Sequence, residues 1–414
     1  MSHKTQLDRV RIVRWIGVAA LLGLLIVLLA SPGRSALASA PEAPLAPMAC
    51  TDGTQTSGAI SRICMPAAWN NDLLVYAHGY MAPNQPVAIP EDQLRLPDGT
   101  SLSDVANSLG YAFATTSYSV NGLAVREGLT DLVDLVSIFR TQHPTLNRVY
   151  LTGASEGGLI TTLATELYPN VFSGGLASCG PIGDFRSQID YVADFRTVFN
   201  YFFPGLIPGN AVSIPPALLG TWPAFYTTTV LPVILNPANT LSVTQVLSAT
   251  GAVYDPTDTT TISSTFEQQL WYNAMATNDA RAKLGGQPFD NMTRVYTGSL
   301  NDVALNAGVE RFSAEPIALA ELQAHYQTTG RPGVPLVTLH TTLDQTVPYW
   351  HETLYRAKIV AHNRTPRHDN IAVARYGHCN FTSSDIIQAL FLLQNRVYSP
   401  PKWKTLLPVM LKQQ

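Results

Sequence analysis

The sequence predicts an α/β protein: a mostly parallel sheet flanked by helices, with a large cap or lid inserted into it. Three observations predict this. Short apolar, β-branched runs alternate with helical stripes between residues 72 and 178. The alternation fades over residues 180–329, where aromatics, prolines and threonines dominate. It returns between residues 335 and 395. Strands alternating with helices pair in parallel and are covered on both faces. Functional groups on such a sheet collect beyond the carboxyl ends of its strands.

The elements follow in order. Residues 60–65 read as an edge strand, and residues 72–77 as a buried strand ending at His78-Gly79. Pro83, Pro86 and Pro90 mark a long loop. Residues 101–109 form a helix capped by Ser101 or Ser103, and residues 111–116 the next strand. Leu129, Leu132, Val133, Val136 and Phe139 make a helical stripe over residues 127–142. A strand from residue 148 leads into a helix over residues 159–167, and residues 172–178 form another strand. After the insertion come a strand at 335–340, a helix at 350–362, a strand at 371–376 and a helix at 384–395.

With 414 residues, 46% hydrophobic and 13% charged, the chain can bury one large core, or a core plus a lid. A formal net charge of -3 argues against a nucleic-acid partner, which calls for a basic field. The 29 prolines and 28 glycines are spread along the chain without a fixed period, which argues against a solenoid or propeller.

The N-terminus reads as a targeting segment. Lys4, Arg9, Arg11 and Arg14 precede an uncharged apolar run over residues 15–30, the length of a signal core. Ala36-Leu37-Ala38 matches a cleavage site. The expected division is therefore a signal peptide at 1–38, an Ala/Pro linker at 39–49, a first core segment at 50–179, the insertion at 180–329 and a second core segment at 330–414. The alternative is an uncleaved anchor, the one route by which a membrane would be a partner; either way the rest of the chain is exported. Cys50, Cys64, Cys179 and Cys379 all follow the signal, and an even count in an exported chain favours two disulfides from three possible pairings. Cys50 with Cys64 would staple the new N-terminus, and Cys179 with Cys379 would then tie distant parts together. The lack of a C-x-x-C spacing argues against a zinc ribbon. His351-Glu352 opens like a helical zinc-protease motif but lacks the second histidine, so no metal is implied.

Residues 148–158 read strand, then Gly153-Ala154-Ser155-Glu156-Gly157, then helix. That order suits a turn tight enough to push the Ser155 hydroxyl outward, with glycines where a Cβ would strike neighbouring backbone. A glycine-rich turn whose serine merely caps the helix would carry the same letters. A serine nucleophile also needs a base and an acid to orient that base. His378 lies two residues beyond the last strand, and Asp344 follows the strand before it. Asp302 and Asp369 are fallback acids and His340 a fallback base. Two backbone N–H groups should face the developing oxyanion, one from Glu156 and one from Tyr80, with Met81 the runner-up. The aromatics of the insertion, Trp222, Tyr226, Trp271 and Tyr272 among them, either line an apolar pocket or form the lid's own core.

The His78-Gly79 loop, the Gly153–Gly157 elbow, Asp344 and His378 give the chain a resemblance to the α/β-hydrolase superfamily over residues 73–178 and 336–395. The extra Gly158 resembles the G-x-S-x-G-G of prolyl-oligopeptidase-like enzymes and several secreted esterases. His378-Cys379 resembles tannase and feruloyl-esterase relatives, in which a disulfide braces the catalytic histidine. There the partner cysteine directly precedes the serine; Ala154 stands in that place here, which points to Cys179. The H-G-G-G of lipases is absent, since His78-Gly79 runs into Tyr80-Met81. The resemblance implies a serine hydrolase with a Ser155, Asp344, His378 triad, an acyl-enzyme and no cofactor. The expected activity is ester cleavage on a small-molecule or polymeric substrate. A prolyl-oligopeptidase-like peptidase and a non-catalytic binding protein on the same scaffold are the alternatives.

Overall fold

Strands β1 (Ala49–Thr54), β2 (Ile60–Met65), β3 (Asp72–Ala77), β4 (Ala112–Thr116), β5 (Arg148–Ala154), β6 (Gly174–Ser178), β7 (Leu336–Leu343) and β8 (His368–Tyr376) form one sheet in a computed structural model describing residues 48–398. The expected signal segment, and the linker up to residue 47, lie outside the described residues. The strand order is β1-β2-β4-β3-β5-β6-β7-β8, with β1, β2 and β4 paired antiparallel and every pair from β4 to β8 parallel. This is the α/β-hydrolase fold.

Alternate side chains of the central strands feed two cores, which is why these strands read as unbroken apolar runs. Leu73, Val75, Val149 and Leu151 pack with α2 (Val125–Gln142) and α3 (Glu156–Leu167). Leu74, Tyr76, Tyr150 and Leu176 face the opposite way, toward α1 (Leu102–Ser108) and α12 (Ser383–Tyr398). Ser101 caps α1 by accepting from the Asp104 N–H. Tyr355 and Ile359 of α11 (Trp350–Ala361) pack on Ala177 and Leu336.

One sequence expectation is corrected. Residues 60–65 do form a strand, but not the edge: β1 lies outside it and starts at Ala49, within the expected linker. All six β1 residues are exposed, so no alternation betrays the strand. It is held by one antiparallel ladder and by the Cys50–Cys64 disulfide, whose cysteines stand opposite each other in register.

Between β6 and β7 the chain is helical: α4 (Phe185–Phe202), α5 (Ala217–Phe225), α6 (Leu231–Ile234), α7 (Thr240–Thr250), α8 (Thr261–Lys283), α9 (Asp302–Gly308) and α10 (Pro316–His325). This segment has its own apolar core. Across α5 and α6 the buried residues are Leu218, Trp222, Tyr226, Val230 and Ile234, every fourth position. A regular helix turns in 3.6 residues, so such a stripe would drift; the wider π-helical turn at Tyr226–Val230 keeps it facing inward. Two helices join this core to the sheet. In α4, Phe185 packs with the sheet and Phe195 and Phe199 with the helical core; in α8, Phe266 and Leu270 lie in the helical core while Ala280 packs with the sheet. Fully buried Arg196 pins α4 to α8 through Asn273, and to the following loop through the Ile207 carbonyl.

Candidate active site

Ser155 is the single residue between β5 and α3, at φ 57° and ψ -120°. A non-glycine residue in this region carries strain of about 1–3 kcal/mol, held here by its surroundings. A Cβ on Gly157 would lie 2.0 Å from the Ala77 carbonyl oxygen, and one on Gly153 2.3 Å from that of Gly157. Gly158 has the same reason to be glycine, since its Cβ would come within 2.6 Å of the Ser178 oxygen. The turn is pinned where the Ser155 N–H donates to Ser178 O at 2.9 Å.

Ser155 Oγ lies 2.9 Å from His378 Nε2, across 223 residues of sequence. His378 Nδ1 lies 2.8 Å from Asp344 Oδ2. A carboxylate only accepts, so Nδ1 carries the proton and Nε2 is free to accept from the serine. Asp344 is fully buried, and its other oxygen accepts from the N–H groups of Thr346 (2.9 Å) and Val347 (2.8 Å). Burial alone would raise its pKa, but His378 and His340 together hold it below the usual carboxylate range.

His340, the fallback base, sits behind Asp344 and away from Ser155. Its Nε2 is 2.8 Å from the Val347 carbonyl and 3.5 Å from Asp344, and its Nδ1 is 3.2 Å from Glu352. Burial opposes a charge there, but the Asp344 and Glu352 carboxylates win and raise its pKa to about 10. The fallback acids are engaged elsewhere: Asp302 accepts from Ser299, and Asp369 pairs with Arg396. His351 accepts from the Gly183 N–H and contacts Gln188.

The His378 loop is fastened by the Cys179–Cys379 disulfide, one end just past β6 and the other next to the imidazole. Six described non-glycine residues have positive φ, and Ser155, Cys179 and Cys379 are three of them. Backbone strain thus gathers around this site.

On the opposite side, Gly79 packs on the serine; a Cβ there would be 3.3 Å from Ser155 Cβ. The Gly79 N–H is taken by Gln93 Oε1 at 2.7 Å. By contrast, the backbone N–H groups of Tyr80, Met81 and Glu156 donate to no acceptor among the described residues. Buried His78 steadies the loop by donating from Nδ1 to the Gly79 carbonyl at 2.7 Å, and its ring stacks on Tyr118.

Two features escape sequence reasoning. The Glu156 side chain is 6% exposed: Oε1 accepts from the Ala124 N–H at 2.8 Å and Oε2 has no partner. Burial raises its pKa from 4.5 to about 8, against the Ala124 N–H and Lys283, which favour the carboxylate. Tyr272, midway along α8, lines the space beside Ser155 and packs on Tyr80. Burial raises its pKa. Of the aromatics named from sequence, Trp222 and Tyr226 belong to the helical core, whereas Tyr272 lines the site. No periodicity distinguishes it from its neighbours.

No family model and no curated protein matches the chain. Solved structures do, at low identity. Feruloyl esterase B from Aspergillus oryzae is 14% identical, with 81% of this chain and 75% of that chain covered and a TM-score of 0.47. The acylaminoacyl peptidase of Pyrococcus horikoshii is 10% identical at a TM-score of 0.44, with 85% of this chain covered; this chain spans only 42% of its length. An esterase from Pyrococcus furiosus is 10% identical, with 84% of this chain and 90% of that chain covered and a TM-score of 0.43. The functional reading therefore rests on the site's own geometry.

Proposed function

We propose that this chain is an exported serine hydrolase that cleaves carboxylic esters. The observation that carries the reading is the hydrogen-bonded line Ser155, His378, Asp344 at 2.9 and 2.8 Å, raised on a strained elbow. His378 takes the hydroxyl proton as Ser155 attacks the ester carbonyl, then passes it to the departing alcohol. Asp344 holds the tautomer and stabilises the imidazolium. The unengaged N–H groups of Glu156 and Tyr80 donate to the oxyanion, helped by the N-terminus of α3. Water then resolves the acyl-enzyme. The two disulfides agree with export, where such bonds persist. Ester rather than peptide cleavage is favoured because Asp190, Asp194 and Asp279 of the helical segment already pair with cations of the chain: Asp190 and Asp194 with Arg294, and Asp279 with Lys283. A peptide α-amine would need such a pair free.

Ser155→Ala should abolish hydrolysis of p-nitrophenyl butanoate and labelling by a fluorophosphonate probe, while circular dichroism stays native. Undiminished turnover would overturn the assignment. Turnover of aminoacyl p-nitroanilides above that of the ester would instead favour the peptidase.

A further inference from the structure

Two cavities meet at Ser155, and only one of them reaches His378. One, of about 130 Å³, runs between α4, α8 and the sheet; its wall includes Phe185, Ile189, Val192, Ala276, Ala280 and Phe289. The other, of about 350 Å³, runs toward α1 and α12, past Leu102, Val105, Phe381, Ile386, Ile387 and Leu390. Ser155, Tyr80 and Tyr272 line both, whereas His378 and Cys379 line only the larger.

The chemistry assigns the sides. As the tetrahedral intermediate collapses, the bond from carbon to alcohol oxygen breaks, and that oxygen takes the proton His378 removed from Ser155. The alcohol must therefore lie on the imidazole's side. The acyl group stays bonded to Ser155 Oγ and must leave His378 open, because the second step needs water there. In that step the water oxygen bonds to the acyl carbon, the carbon–Oγ bond breaks, and the water proton returns to Oγ through His378.

Resting on the ester-hydrolase reading, we propose that the α4–α8 cavity is the acyl site and the α1–α12 cavity the alcohol site, so that the substrates are esters of short apolar acids with larger apolar alcohols. The acyl cavity approaches the ~150 Å³ that holds a benzene ring, which suits about four to six carbons. Its wall is mainly apolar. Gln188 is satisfied by Thr346 O and His351, Asn273 by Arg196 and Ala211 O, and Gln287 by Phe289. The buried Tyr80 hydroxyl, Glu156 Oε2 and Thr346 Oγ1 have no partner among the described residues, but with so little of the wall polar a charged or strongly polar acid would lose more hydration there than these groups return. The larger cavity is also mainly apolar and rewards added carbon on the alcohol side.

The test is a two-way panel on the secreted enzyme. Among p-nitrophenyl esters, kcat/KM should peak at four to six acyl carbons and fall at least about 100-fold by sixteen. Among butanoates, naphthyl and octyl esters should exceed the methyl ester by about tenfold or more. Val192→Ala should lengthen the preferred acyl chain and Val192→Trp shorten it, with the alcohol preference unmoved. Ile387→Trp should weaken selection for bulky alcohols and leave the acyl-chain preference unmoved. A flat acyl profile, or Val192 variants that change alcohol preference and Ile387→Trp that changes acyl preference, would overturn the assignment. Failure of the hydrolase reading itself looks different: the wild-type protein would not be labelled by fluorophosphonate at Ser155.

Discussion

Replacing Glu156 by glutamine isolates one buried charge. The carboxyl beside the candidate nucleophile is 6% exposed, has one protein donor and one oxygen without a partner, and has its pKa raised by burial from 4.5 to about 8. In the unfolded chain it ionises near 4.5; in the folded protein it stays protonated to about 8. Between these values the folded state binds more protons, so stability falls as pH rises. The contribution is fully present below 4.5 and fully lost above 8. At about 1.4 kcal/mol per tenfold change in proton affinity, this interval corresponds to about 5 kcal/mol. Glutamine accepts from the Ala124 N–H but cannot ionise. The assay is thermal unfolding of wild type and Glu156→Gln at pH 5 and pH 9. Other titrating groups, including His340, cancel in the double difference. The wild type should lose about 5 °C or more beyond what the variant loses, at roughly 1–2 °C per kcal/mol for a domain of this size. Equal losses within 1 °C would refute a neutral Glu156.

Two other perturbations follow from the site. Asp344→Asn removes the acceptor that fixes the His378 tautomer, and kcat on short esters should drop about 10⁴-fold with the fold intact; a loss under tenfold would remove Asp344 from the machinery. Removing Cys179 and Cys379 together opens a 200-residue loop, worth about 5 kcal/mol in chain entropy, and frees the loop carrying His378. Both the denaturant midpoint and kcat should fall, and an unchanged kcat would show that the disulfide plays no part in positioning His378.

Much of the sheet was legible because its signals are local. Central strands read as apolar runs because both faces are covered, and helix α2 read as a stripe because it buries one face. The elbow was legible because no residue but glycine fits within 2.0–2.6 Å of facing carbonyl oxygens. Strand β1 was not, since an exposed strand with one partner leaves no apolar pattern. Tyr272 was not, since an aromatic in the middle of a helix looks the same whether it fills a core or meets a serine. Glu156 was named for its backbone N–H, and nothing in the letters revealed a buried, half-satisfied carboxyl.

By itself, then, the sequence determined the order of strands and helices on either side of the helical segment, β1 aside, the turn at Ser155 and the residues able to form a nucleophile, base and acid, because steric fit and apolar period are written residue by residue. Tertiary structure alone decided how the crossing of α4 and α8 over the sheet divides the space around Ser155, which histidine faces it and which stands behind Asp344, and which carboxyl loses its water. Those outcomes depend on contacts between segments up to 223 residues apart, and no local pattern encodes the distance at which such segments come to rest.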